Sequence, residues 1–203
     1  MAFAGHELAR VSRGRVLDIG CGAGRNALPL ARLGWQVVGT DLSWPMLVAA
    51  GQRAHEEALD RRFLGLLAPM EHLPVRDRSV DFVIAHGIWN LARSAAQFRR
   101  AAGEAARVAK PGAALFVFTF PRHTLPPGTP AVAGEPFVFT QFSGDPQCFV
   151  TEAQLDAELG AAGFTRDPGV PLTEYNLPKP GTMQLGKAPV IYEACFRREG
   201  QPR

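Results

Sequence analysis

The sequence predicts an α/β fold: one doubly wound domain over residues 1–203, its sheet largely parallel and covered by helices on both faces. Three observations predict it. Short continuous apolar runs alternate with helical patterns through the first two-thirds of the chain, the rhythm of a buried parallel sheet. A glycine-rich turn, Gly20-Cys21-Gly22-Ala23-Gly24, joins the first apolar run to the first helical pattern. The 203 residues are 46% hydrophobic and 20% charged, enough to bury a core without metals or disulfides.

Arg15 to Ile19 reads as the first strand, and Asn26 to Leu33 as a helix stopped by Gly34, with Pro29 early enough to be tolerated. Gln36 to Thr40 is the second strand. Ser43 is placed to cap the next helix, which carries Pro45 near its start and runs to about Leu59. Phe63 to Leu67 is the third strand and Val80 to Ala85 the fourth, separated by a polar connection through Arg76-Asp77-Arg78-Ser79. A helix spans Ala95 to Ala109 and ends before Lys110-Pro111-Gly112; Ala114 to Phe120 is the fifth strand. The proline- and phenylalanine-bearing stretch 121–150 is too long for a plain connection and predicts a lid or a hairpin. Thr151, with Glu152 and Gln154 behind it, caps a helix that ends at Gly160 or Gly163. Phe164 opens a sixth strand, Pro189 to Phe196 is the last, and Arg197 to Arg203 is a charged tail.

Composition narrows the function. Cys21, Cys148 and Cys195 lie far apart, without the spacing of a zinc site or redox dithiol, so no metal and a reducing, cytoplasmic setting are expected. No basic-then-apolar leader opens the chain, and no run approaches the roughly 18 apolar residues of a membrane span. The net charge of +3 is carried mostly by arginines that are scattered rather than gathered in a stripe, which argues against nucleic acid as partner. His72 and His123 make no metal spacing with Asp77 or Asp145.

The glycine loop carries the sharpest chemistry. Glycines let a ligand approach the backbone, and the following helix start offers unpaired N–H groups. Asp41, at the end of the second strand, stands about 20 residues on, where a carboxylate can accept from both hydroxyls of a ribose. The glycines alone fit a dinucleotide or S-adenosylmethionine. Asp18, just before them, would repel a pyrophosphate but suits the ammonium group of an amino-acid ligand, which favours S-adenosylmethionine over a nicotinamide cofactor.

With Val16-Leu17-Asp18-Ile19-Gly20-Cys21-Gly22-Ala23-Gly24, then Val38-Gly39-Thr40-Asp41-Leu42-Ser43, and downstream Met70 to Val83 and Ala106 to Ala113, the chain resembles the class I S-adenosylmethionine-dependent methyltransferases, in their small-molecule, type 11-like branch. The resemblance covers about residues 14–120. It implies a Rossmann-like, seven-stranded, mostly parallel sheet in the order 3-2-1-4-5-7-6 with the last strand antiparallel. It also implies that Asp18, Gly20, Cys21, Gly22 and Gly24 hold the methionine part of the cofactor, Asp41 the ribose, and Leu42, Met46, Met70 and Glu71 the adenine. Pro69 departs from the family, whose members often carry an aspartate there to accept from the adenine amino group.

Segment His86-Gly87-Ile88-Trp89-Asn90-Leu91, beyond the fourth strand, is expected beside the sulfonium, with His86 both a cofactor contact and the candidate general base. Trp89 is a candidate shield or a core residue. Phe137 to Phe149 either wall an acceptor pocket or pin the long segment to the sheet, and Tyr175, Asn176 and Gln184 are candidates for the mouth of the site. Few residues precede the first strand, so His6 and Arg10 would make only a short cover over the acceptor; segment 121–150 or a partner subunit are the alternatives. The expected activity is methyl transfer to a small-molecule acceptor by a monomer or homodimer. The alternatives are a non-catalytic S-adenosylmethionine-binding protein, a methyltransferase acting on RNA or protein, and a nicotinamide-dependent enzyme.

Overall fold

The computed structural model describes residues 2–11, 14–177 and 189–200. In chain order its elements are α1 (Ala2–Ala9), β1 (Arg15–Ile19), α2 (Ala27–Leu33), β2 (Gln36–Asp41), α3 (Trp44–Glu56), β3 (Phe63–Leu67), β4 (Val80–His86), α4 (Ala95–Val108), β5 (Ala109–Thr119), β6 (Val138–Phe139), β7 (Gln147–Cys148), α5 (Glu152–Ala161), β8 (Phe164–Arg166), β9 (Thr173–Tyr175) and β10 (Ile191–Arg198). The main sheet runs β3-β2-β1-β4-β5-β10-β8. Strands β1 to β5 are parallel, and β10 is antiparallel to both β5 and β8. The sheet has eight strands among the described residues rather than the seven expected, because β9 also pairs with β10.

Alternation along β4 and β5 divides the core between the two faces. Val83, Ala85, Leu115 and Val117 pack with Phe98, Ala102 and Leu155 of α4 and α5. Phe82, Ile84 and Ala114 pack with Leu28, Trp35 and Ala50 on the side of α2 and α3. Burying one large apolar side chain contributes roughly 1.5–3 kcal/mol, so these two layers hold the helices firmly on both faces of the sheet.

Several boundaries moved for local reasons. Strand β5 begins at Ala109, not Ala114: Val80 pairs with Ala109 and Phe82 with Ala114, so residues 110–113 bulge opposite Asp81. Gly112 takes φ 78° there, and Lys110 Nζ reaches Asp81 Oδ1 at 2.6 Å. Helix α3 stops at Glu56 rather than near Leu59, as Ala58 adopts φ 56° and ends the spiral. Ser43 sits at the start of α3 without a side-chain cap; the Asp41 carboxylate takes the Ser43 N–H instead. At α5, by contrast, Thr151 and Gln154 form a complete capping box. The expected charged tail is ordered at its start, since Arg197 and Arg198 belong to β10.

Segment 121–150 contains the hairpin β6–β7. Phe137, Val138 and Cys148 join the main core, while Phe139 and Phe149 form a small cluster with Leu125. These phenylalanines therefore pin the segment down; among those from Phe137 to Phe149, only Phe142 is exposed. Trp89 is likewise a core residue, edge-on to Phe98.

Helix α1 does not cover the acceptor region. The Ala4 carbonyl accepts from Trp35 Nε1 at 3.1 Å, Phe3 meets Phe82, and buried Glu7 is bridged by Arg197 at 2.5 and 2.6 Å. Trp35 precedes β2 and Arg197 lies near the end of antiparallel β10, so α1 docks at the amino ends of the parallel strands. Removing one partner of a buried ion pair costs about 3 kcal/mol or more. Glu7→Ala is expected to lower stability by about 3 kcal/mol in urea denaturation, with cofactor affinity of the folded fraction unchanged by calorimetry.

Candidate functional site

Parallel register sets Ile19, Thr40 and His86 at the carboxyl edge of the sheet, where open α/β sheets bind ligands. The chain leaves β1 through Gly20, Gly22 and Gly24, at φ 71°, 53° and 80°, a left-handed conformation that side chains resist. At Gly20 a Cβ would also stand 2.7 Å from the Ile88 side chain. The Thr40 carbonyl accepts from the Gly20 and Cys21 N–H groups at 2.7 and 2.9 Å. Asp41 completes the attachment: its Oδ2 accepts from the Gly22 N–H and its Oδ1 from the Ser43 N–H, both at 2.8 Å. A carboxylate offers about four lone-pair sites, so two remain for a ligand's hydroxyls.

Asp18 lies under this loop, 1% exposed, and neither carboxylate oxygen has a hydrogen-bond partner among the described residues. Burial pushes its pKa up to about 7; the Ala27 amide and Arg25 pull it down without closing a hydrogen bond, and Asp41 adds to the rise. A buried, unpartnered carboxylate is costly unless something compensates it. A cationic, N–H-rich ligand group would do so, and the residues present fit an amino-acid ligand.

Above the loop is a cleft of about 630 Å³ lined by Gly20, Asp41, Leu42, Met70, Glu71 and His86, all expected site residues. Ile88 and Leu91, from the segment expected beside the sulfonium, also line it, together with Arg93 and Gln97, which were unforeseen from the sequence. The Ser94-x-x-Gln97 spacing is the legible signal they left: Ser94 caps α4 by accepting from the Gln97 N–H, and the Gln97 side-chain Oε1 accepts from the Arg93 N–H. Gln97 Nε2 then donates to Glu71 Oε1 at 2.9 Å, fixing one cleft wall to the other. Behind that wall, Arg107 donates to the Leu73 and Val75 carbonyls while Glu104 accepts from the Leu73 N–H, tying the connection after Pro69 to α4. The Arg107 guanidinium holds the Glu104 carboxyl below its usual range.

Other expected residues lie elsewhere. Asp18, Cys21, Gly22, Gly24 and Met46 are not among the lining residues of this cleft; Asp18 lies beneath it, next in the chain to Ile19, which does line it. Cys21 is buried against Gly39, and burial pushes its thiol up to about 12, so it is a packing residue rather than a nucleophile. Met46, on α3, is 49% exposed. The Met70 side chain packs into the core, leaving its backbone as the group it can offer. Tyr175 lies in β9, His123 pairs with Glu174 at 3.2 Å, and Gln184 falls outside the described residues. Among the described residues, no group of three or more His, Cys, Asp or Glu is placed to hold a metal ion. No described helix is long and apolar enough to cross a membrane.

His86 ends β4 with its ring stacked on Phe118, centroids 4.1 Å apart and planes 11° from parallel. Arg25, directly after the glycine loop, brings Nη2 to 3.3 Å from His86 Nδ1. Burial, followed by the Arg25 charge, lowers the His86 pKa. A second groove of about 580 Å³ lies on the face of β2 and β3 near Arg15, Leu64 and Arg76, but neither the loop glycines nor Asp41 line it.

The family described as "Methyltransferase domain" matches residues 17–117. The chain is 33% identical to the ubiquinone biosynthesis O-methyltransferase of Azorhizobium caulinodans, over 74% of this chain and 58% of that protein. It is 32% identical to the demethylmenaquinone methyltransferase of Thermus thermophilus, over 74% of each. Among solved structures, a methyltransferase of Methanosarcina mazei, described as S-adenosylmethionine-dependent, superposes with a TM-score of 0.72 at 21% identity, over 93% of this chain and 94% of that one.

The buried acid predicts a pH dependence. Folded Asp18 keeps its proton up to about pH 7, whereas the unfolded chain releases it near 3.8. Between those values the folded state binds more protons, so the Asp18 contribution makes stability fall as pH rises and level off above about 7. Urea denaturation of the ligand-free protein across this range should show that decline, and Asp18→Asn should remove it; equal declines in both proteins would place Asp18 in water.

Proposed function

The chain belongs to the class I S-adenosylmethionine-dependent methyltransferase family, in its type 11-like branch, and from that premise we propose that it transfers the methyl group of S-adenosylmethionine to a nucleophilic atom of a small-molecule acceptor. One observation carries the reading: a buried carboxylate, Asp18, without a hydrogen-bond partner among the described residues, under a left-handed glycine loop whose other side is tied to Asp41. A nicotinamide dinucleotide would bring phosphate charge toward that acid; an amino acid brings an ammonium group.

When bound, S-adenosylmethionine supplies an electrophilic methyl group on a sulfonium. The chain's part is to bind and align it. Asp18 takes the ammonium, the open backbone of Gly20 and Gly22 admits the methionine portion, and Asp41 accepts from the ribose through its two remaining lone-pair sites. Leu42 and the backbone at Met70 and Glu71 flank the adenine. Pro69 offers no carboxylate for the adenine amino group; Glu71, held by Gln97, stands beside it as the available acceptor. Methyl transfer needs a nucleophile in line with the methyl group, and holding the two in place can supply much of the rate. The named activities of the Azorhizobium and Thermus relatives, in quinone biosynthesis, support a small organic acceptor.

Asp41→Ala should weaken S-adenosylmethionine binding by about a hundredfold or more by calorimetry, since it removes two hydrogen bonds to a charged acceptor worth about 1.5–3 kcal/mol each. Unchanged affinity would refute the ribose role. Mass spectrometry for a copurified ligand, followed by labelled-methyl transfer into a metabolite extract, tests the function itself. Label appearing in RNA or protein would replace the small-molecule reading, and binding without any transfer would leave a cofactor-binding protein.

A further inference from the structure

Resting on that reading, we propose that His86 is a fixed hydrogen-bond donor through Nε2, not a general base, with Arg25 and Phe118 as its positioning residues, and that the acceptor presents an anionic oxygen to it. Arg25 Nη2 lies 3.3 Å from His86 Nδ1. A guanidinium has donors only and keeps its proton throughout the working pH range, so Nδ1 must present its lone pair. A neutral imidazole carries one proton, and that proton is therefore on Nε2. The nitrogen able to accept a proton faces Arg25, and the nitrogen turned away from Arg25 is already protonated.

The ring cannot readily turn to exchange these roles. It is stacked on Phe118 at 4.1 Å and flanked by Phe116 at 6.3 Å, both rings projecting from β5 in register with β4. Burial and the Arg25 charge disfavour the imidazolium and outweigh the His86 main-chain carbonyl, which favours it, so the ring's pKa is lowered. The groups packed against the ring from β5 are uncharged; Glu193, paired with Phe118 from β10, is the acid on that flank.

This arrangement states what the acceptor must bring. An N–H donor backed by a guanidinium makes a positive potential that favours an anionic oxygen and repels an ammonium. A phenolate, enolate or carboxylate meets it. Such an acceptor arrives ionised, its proton already released to the buffer. As its nucleophilic atom bonds to the methyl carbon, the carbon–sulfur bond breaks and that electron pair returns to sulfur, so no proton passes through His86. Glycine at 87, at φ 69°, lets the chain turn away after His86, and Gly87 itself lines the cleft.

Long-range proton–nitrogen NMR of the full chain tests the assignment without any acceptor, the His86 signals being identified by their loss in His86→Gln. The proton should sit on Nε2 and Nδ1 should be bare at neutral pH, with Arg25→Met giving a mixture of the two forms and a ring pKa moved up. A proton on Nδ1, or a ring unaffected by Arg25→Met, would overturn the proposal. Labelled-methyl transfer into a metabolite extract gives the second readout. His86→Ala should lose about tenfold or more of the labelling, and His86→Gln, whose amide offers a donor near the Nε2 position, should restore most of it. A glutamine variant as inactive as the alanine one would overturn the donor role, as would label entering amines rather than oxyanion-bearing compounds. Absence of any labelling by the unmodified protein would instead count against the methyltransferase reading, with the NMR result still deciding the state of His86.

Discussion

The attachment of the glycine loop to the carboxyl end of β2 is the constraint on which the site depends. Three backbone N–H groups of the loop, at Gly20, Cys21 and Gly22, are taken up by the Thr40 carbonyl and the Asp41 carboxylate. Their capture forces the left-handed turns that only glycine accepts without strain, and Ile88 closes in on Gly20 because no Cβ stands there. The same Asp41 draws the start of α3 to the loop through the Ser43 N–H. One side chain thereby sets the relative positions of β1, β2, α2 and α3 at the sheet edge, while keeping lone pairs free for a ligand.

Charge is divided across that edge. Asp18 lies below the loop in a dry setting, with no hydrogen-bond partner among the described residues, while Arg25 gives its hydrogen bond to the His86 imidazole and reaches the acid only through its charge. Had Arg25 turned to Asp18, a salt bridge would satisfy the carboxylate and remove its reason to attract a cation. Preorganisation of this kind places an acid where a ligand's ammonium goes and a positive group where an acceptor's oxygen goes, before either arrives.

Stabilising devices are kept away from this chemistry. The buried Glu7–Arg197 bridge and the Trp35–Ala4 hydrogen bond anchor α1 at the amino ends of the strands. Cys148 and Phe137 bind the β6–β7 hairpin to the core, and Arg107 with Glu104 clamps the connection between β3 and β4. The cleft walls can then be built from segments whose own backbone would not hold them, such as residues 68–71, braced from behind by α4.

Much of the fold was legible because local pattern decides it. Strands β1 and β3 fall at the expected residues, since apolar runs bounded by turn signals leave little choice, and Thr151 and Gln154 announce the capping box of α5. Boundaries that depend on pairing were not legible: β5 reaches back to Ala109 because β4 offers a partner, and β9 exists because β10 has a free flank. The site divides the same way. Asp18, the three loop glycines and Asp41 stand close together in sequence and declare their chemistry by type and spacing, so the sequence alone determined that an acid, a glycine turn and a second acid would share one edge of the sheet. Tertiary structure alone decided that Asp18 has no hydrogen-bond partner among the described residues, that Met46 stands outside the cleft, that Gln97 crosses to Glu71, and that Arg25 meets His86 across 61 residues of chain. Burial, exposure and the pairing of a donor with a ring nitrogen are properties of the packed sheet edge. No residue carries them in its own identity.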